Sequence, residues 1–173
     1  MNRLKVIFSA CLVVIMTACS NKSDNTESTM GRNNDVCLNA IFPKGEKIGN
    51  NNFEGVAYLQ WLMNDTENFD CTLGNVTFEP GCRNSWHSHP GGQILIVIAG
   101  EGYYQERGIP IRLIKKGDII PIKPDVVHWH GATPDSPMEH LAIGTRSNMG
   151  PAVWYEPVSD EDYYIITATT NNY

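Results

Sequence analysis

Past residue 36 the chain alternates between short apolar runs and turn residues. "FEGVAYLQWLM" (53–63) comes first, then "TLGNVTFE" (72–79), closed by Pro80 and Gly81. "QILIVIAG" (93–100) is strongly apolar, and "GYYQE" (102–106) and "IPIRLI" (109–114) flank a turn at Gly108. "DIIPI" (118–122), "VVHWH" (126–130) and "MEHLAIG" (138–144) complete the series. Short β-branched and aromatic runs punctuated by Gly, Pro and Asn are strand signals. Their spacing predicts an all-β sandwich or barrel. One short helix is expected at "SDEDYY", with Ser159 as its N-cap and acids in its first turn.

The beginning of the chain follows a different pattern. "MNRLK" is basic, "VIFSACLVVIM" is apolar but short for a bilayer span, and "TAC" occupies 17–19. That order predicts an export signal over residues 1–18. Its end resembles a bacterial lipoprotein cleavage box, with Met16 where leucine is usual and Cys19 as the lipidated first residue. A plain secretory signal or an N-terminal anchor helix are the alternatives. The lipoprotein reading places the protein at the cell envelope, on the periplasmic or outer-membrane side. Residues 19–36 are polar and read as a flexible tether with an average reach of ~20–25 Å. Residues 37–173 then form a single domain.

Charge narrows the range of partners. The chain carries 13 Lys and Arg against 19 Asp and Glu. Removing residues 1–18 deletes Arg3 and Lys5 and no acid, so the formal charge falls from −6 to −8. No basic patch is present, which argues against nucleic acid and against attraction to an anionic membrane surface. A membrane would be reached only through lipid on Cys19. Export permits disulfides among Cys37, Cys71 and Cys82. Cys71 and Cys82 flank a predicted strand that would hold them ~20 Å apart, so any bridge would involve Cys37.

The histidines carry the chemistry. In a strand, residues two apart share a face. His87 and His89 in "WHSHPGGQ" therefore point the same way, as do His128 and His130 in "VVHWH". Gly91 and Gly92 let the chain turn and bring Gln93 near the first pair. His140 lies on a further strand. All five histidines fall in these segments and none in the signal or tether. A lone histidine is more often a satisfied packing group, but five on three strands of one small barrel point to a metal site. Trp86 and Trp129 alternate against the histidines and read as packing groups.

These residues carry a resemblance to the cupin superfamily. Gly81, His87, His89, Gln93 and Gly100 follow the first cupin motif (81–100). Gly117, Asp118, Pro124 and His128 in "GDIIPIKPDVVHWHG" follow the second (117–131), with Asp125 where glycine is common. The resemblance implies a double-stranded β-helix, or jelly-roll, with a divalent metal held by His87, His89, Gln93 and His128. Most cupins have Glu at the position of Gln93. A subgroup of small bacterial cupins shares the His/His/Gln/His set together with "HPGGQIL", "GEGYYQERG", "KGD" and "HWHGA.PDS", and it is similar to manganese-dependent hydroxynitrile lyases. The family therefore suggests Mn²⁺, whereas the ligand set alone also accepts Zn, Fe, Ni or Cu. The resemblance also implies a small-molecule substrate and a homodimer.

A neutral amide in place of a carboxylate leaves the centre closer to +2, a stronger Lewis acid. It also removes the anionic donor of two-His-one-carboxylate oxygenases. The expected activity is a lyase that breaks a carbon–carbon bond next to a hydroxyl, with His130 as the base and His140 as a second catalytic histidine. Two alternatives from other classes are an envelope protein that binds a small molecule or metal without turnover, and a cupin dioxygenase. Cyanide release from mandelonitrile and oxygen uptake by iron-loaded protein separate the three.

Overall fold

The computed structural model describes residues 41–64 and 66–164, all within the compact unit Asp35–Tyr173. The signal, the tether, Cys19 and Cys37 lie outside the described residues. Among the described residues there are twelve strands: β1 (Glu46–Lys47), β2 (Phe53–Glu54), β3 (Ala57–Met63), β4 (Cys71–Phe78), β5 (Arg83–Asn84) and β6 (His87–Ser88), then β7 (Gln93–Glu106), β8 (Arg112–Lys115), β9 (Ile119–Ile122), β10 (His128–Ala132), β11 (Met138–Thr145) and β12 (Val153–Trp154). A single helical turn, α1 (Thr66–Phe69), and a 3₁₀ turn (Ser147–Met149) interrupt them.

The long strand β7 belongs to two sheets. Its first half pairs antiparallel with β9 and β11, and its second half with β8 and β10. From β11 the first sheet continues through β4 and β3 to β1; from β10 the second continues to β5 and β2, and also to β6 and β12. This is the jelly-roll expected from the sequence. The runs 93–100 and 102–106, read as two strands, are one. Gly100 makes that possible: its φ is +67°, and a Cβ there would come within 1.8 Å of the Pro137 carbonyl oxygen. The chain bends at this glycine without leaving the ladder.

Alternation along β7 sets the inner face. Gln93, Leu95, Val97 and Ala99 are buried while the residues between them are half-buried. The inner core is built from Phe78, Leu95, Val97, Ile120, Ile122 and Met138, each side chain contributing about 1.5–3 kcal/mol on full burial. Gln93 is the polar member of this inward row. Opposite Glu139 and His140 the register of β7 shifts by one residue. This bulge lets His140 face Val97, inside the barrel, while Glu139 turns away to accept from Asn75 Nδ2 at 2.8 Å.

A second apolar cluster, Trp86, Tyr103, Trp129, Val158 and Tyr163, covers the outside of the second sheet. Trp86 and Trp129 thus pack away from the histidines, as their alternation requires. The C-terminal segment holds this cover in place. Ser159 caps the helical residues 160–164, its Oγ accepting from Asp162 N–H at 3.0 Å, and Tyr163 OH donates to Ala132 O at 2.7 Å. Buried Arg83 donates to Val158 O and to Asp160. Asp118 is a turn residue, accepting Lys115 N–H at 2.9 Å. Cys71 and Cys82 are both free thiols. Burial pushes the Cys82 thiol up to about 12, which makes it a packing group rather than a nucleophile. The two-residue strands escaped the sequence reading because two residues carry no periodicity.

Candidate active site

Pairing of β6 with β10 sets His87 directly opposite His128, with ring centroids 4.2 Å apart. His89 follows the end of β6. Its carbonyl accepts Gly92 N–H at 3.0 Å, closing a tight turn over Pro90 and Gly91. Proline second and glycine fourth, with Gly92 at φ +90°, fit a type I turn followed by a left-handed residue. The turn delivers Gln93 as the first residue of β7, where its Oε1 lies 3.2 Å from His128 Nε2. His130, one strand repeat beyond His128, stacks parallel to it at 5.9 Å. His140 meets His130 edge-on at 4.9 Å. All six residues predicted from the sequence are therefore gathered at one place inside the barrel.

The geometry draws His130 further in than a strand repeat alone implies. One ring nitrogen from each of His87, His128 and His130 falls within a 4.8 Å group, a spacing that suits a shared metal ion. His89 and Gln93 border the same space.

Hydrogen bonding fixes two tautomers. His87 Nδ1 lies 3.0 Å from Ser85 O, and His128 Nδ1 lies 2.9 Å from Val126 O. A carbonyl oxygen only accepts, so each Nδ1 carries the hydrogen and each Nε2 keeps its lone pair. Desolvation keeps the rings neutral. It lowers His89 and His128 to about 4 and His140 to about 3. His87 and His130 are also well below the usual value, through burial and then the neighbouring imidazoles.

His128 Nε2 and Gln93 Oε1 consequently face one another as two lone pairs. His89 Nε2 and both nitrogens of His140 are buried without a hydrogen-bond partner. Buried polar atoms left unpaired are costly. The nitrogens of His87, His128 and His130 have the spacing for a shared divalent cation, and His89 Nε2 lies unpartnered beside the same space, so the residues present fit a metal.

Three neighbours were not legible in the sequence. Asn84 accepts His130 N–H on Oδ1 at 3.0 Å, and its Nδ2 lies 3.2 Å from His130 Nε2 and 3.4 Å from Nδ1. Phe78 packs on both His130 and His140. Trp154, returning from the far end of the domain on β12, stacks on His87 at 4.7 Å. Asn84 in "CRNSW" has the look of a turn residue; only the spacing of "HWH" opposite it could have drawn attention there.

The site opens into a cavity of about 550 Å³. His87, His89, Gln93, His130 and His140 line part of it, and Ile48, Phe53, Leu59, Val76, Ala142 and Trp154 line much of the remainder. No Lys, Arg, Asp or Glu is among the described residues of its wall.

An all-β jelly-roll with imidazoles gathered inside it defines a class of barrels in which a metal-type donor set faces a cavity. The chain belongs to the cupin family. The Cupin domain family matches residues 74–144. The chain is 48% identical to an (R)-mandelonitrile lyase of Granulicella tundricola over 89 residues, which are 51% of this chain and 68% of that protein. A solved cupin-like protein from Thermotoga maritima matches with a TM-score of 0.70 and 48% identity, over 73% of this chain and 96% of that one. A conserved protein with a double-stranded β-helix domain from Klebsiella pneumoniae matches with a TM-score of 0.50 and 27% identity, over 66% of this chain and 88% of that one.

Proposed function

We propose that the protein is a metal-dependent lyase that breaks the carbon–carbon bond beside a hydroxyl, releasing cyanide from a cyanohydrin. The observation that carries this reading is the donor set: neutral imidazoles and one amide oxygen facing an apolar cavity, with no carboxylate among them. The kinship with a mandelonitrile lyase supports the same class of reaction.

His87, His89, Gln93 and His128 are the residues that would hold the ion, and Mn²⁺ is the ion the family resemblance favours. When bound, a divalent ion supplies a Lewis acid for the hydroxyl oxygen, undiminished by any anionic ligand. His130 is neutral because it is buried, so it can accept the hydroxyl proton. Asn84 holds the His130 backbone through its N–H and sets the ring in place. As the carbon–carbon bond breaks, its electron pair leaves on cyanide, an aldehyde or ketone remains, and the proton taken by His130 returns to cyanide. His140 meets His130 at right angles and, with both ring nitrogens unpartnered, is the second catalytic histidine of this reading.

We further propose that the domain is tethered to an envelope membrane through lipid on Cys19. The test of the activity is cyanide release from mandelonitrile by the manganese-loaded protein. Release above the metal-free background supports the reading. No turnover on any cyanohydrin, with metal bound, would leave a binding protein in its place.

A further inference from the structure

A row of rings runs up to the site, and two of them, Trp154 and Phe53, line the cavity without a part in the proposed proton transfer. Trp154 lies 5.9 Å from Phe53, Phe53 lies 5.9 Å from Phe78, and Phe78 lies 5.4 Å from His140. The row runs from a half-exposed tryptophan at 36% exposure to a fully buried histidine. A large apolar ring left in contact with solvent at a cavity wall gains from being covered. No charged side chain lines the cavity among the described residues, so nothing on this wall would offset the desolvation of a charged group laid against it.

The backbone holds Trp154 firmly. Trp154 pairs with His87 between β12 and β6, Tyr155 N–H donates to Trp86 O at 2.9 Å, and Trp86 N–H donates to Glu156 O at 3.1 Å. These bonds do not involve the indole. The backbone is therefore supported independently of the ring, which stacks on His87.

We propose that Trp154 is the specificity-determining side chain of this cavity. With Phe53 it forms an aromatic wall for an uncharged planar substituent on the carbon that bears the substrate's hydroxyl or carbonyl oxygen. The inference rests on the proposed lyase site for where that oxygen goes, but not for the wall itself. An aromatic contact adds about 0.5–1.5 kcal/mol beyond simple burial, which corresponds to roughly two- to twelvefold in affinity.

The test is binding, measured by calorimetry and saturation-transfer NMR with three probes: benzyl alcohol, 4-(hydroxymethyl)benzoate and 1-propanol. The wild-type protein should bind benzyl alcohol more tightly than either of the others. Trp154→Ala should weaken benzyl alcohol by a factor in that range, leave 1-propanol unchanged and keep its full metal content, and Trp154→Phe should restore most of the loss. Equal binding of the distal carboxylate would overturn the uncharged-substituent claim. Unchanged benzyl alcohol binding in Trp154→Ala, or metal loss that Trp154→Phe repairs, would make the indole only a support for His87. Trp154-dependent binding without mandelonitrile turnover would sink the lyase reading alone. Turnover that is indifferent to Trp154 would sink this inference alone.

Discussion

His128 Nε2 and Gln93 Oε1 stand 3.2 Å apart, each presenting a lone pair to the other. The hydrogen of His128 is spent on Val126 O, so no proton lies between them. This pairing makes sense around a cation. His87→Ala, His89→Ala and His128→Ala should each abolish stoichiometric metal, because each loses a bond and, for His87 and His128, a ring oriented by its own carbonyl partner. Gln93→Glu should bind metal more tightly while cleaving cyanohydrins more slowly, since the carboxylate lowers the charge of the centre. The measurement is metal content by elemental analysis after dialysis. If Gln93→Glu holds no more metal than wild type, the amide is merely donating its N–H to His128 and is not a ligand.

That six residues would meet inside the barrel was legible in the sequence chiefly because imidazoles two apart on strands have no common packing use. Gln93 was legible twice over: it sits in the cupin motif and opens a strand whose alternate residues face inward. Asn84 and Trp154 were not legible, because their roles depend on which strands lie beside β6 and β10. The pairing of β12 with β6 joins residues more than sixty positions apart, and nothing local encodes it. The unity of β7 was hidden for a related reason. Gly100 reads as a strand end until Pro137 is known to press against it.

Acid should destabilise the metal-free protein over a defined window. In the folded chain His89 and His128 titrate near 4 and His140 near 3, against 6.5 for an exposed ring. Above pH 6.5 neither state binds these protons and stability is complete. Below it the unfolded chain takes them up while the folded chain does not, so stability falls until the folded values are reached. Each ring contributes a slope of up to ~1.4 kcal/mol per pH unit. Thermal unfolding of metal-free protein should show a plateau above pH 7 and a steep decline from 6.5 toward 4. A melting temperature that stays level from pH 7 to 5 would mean the rings are protonated in the folded state.

Arg83 tests the outer cover independently of the site. Its guanidinium is buried, donates to Val158 O and Asp160, and lies over the Tyr163 ring at 4.6 Å. Arg83→Met should cost about 2–4 kcal/mol in denaturant unfolding, because two buried N–H contacts to Val158 O are lost together. Asp160→Asn should cost under about 1 kcal/mol, because that carboxylate is largely exposed. Equal costs for the two would place the stabilisation in the ion pair rather than in the buried end of Arg83.

Cys19→Ala decides the membrane attachment. With the lipid acceptor gone, the protein should be found uncleaved or soluble after cell fractionation. A processed variant that still partitions with detergent-extracted membranes would show that something other than Cys19 lipid holds it there.

His130 divides an enzyme from a binding protein. Its ring is buried at 3% exposure, its backbone is clamped by Asn84, and it touches His87, His128 and His140. A general base within reach of its proton contributes ~10²–10⁴-fold in rate. His130→Ala should therefore lose cyanohydrin cleavage by a factor of that order while keeping metal and fold. The three-imidazole spacing offers a competing role, in which His130 is itself a ligand, and metal content distinguishes the two. Loss of metal together with activity would make it a ligand; unchanged turnover would pass the proton to His140. The pH profile adds a second reading. Burial holds the His130 ring in its neutral, basic form well below 6.5, so cleavage should persist below pH 6.5 and decline only in more acid solution. An acid limb centred at 6.5 would belong to an exposed imidazole, and His130 is not one.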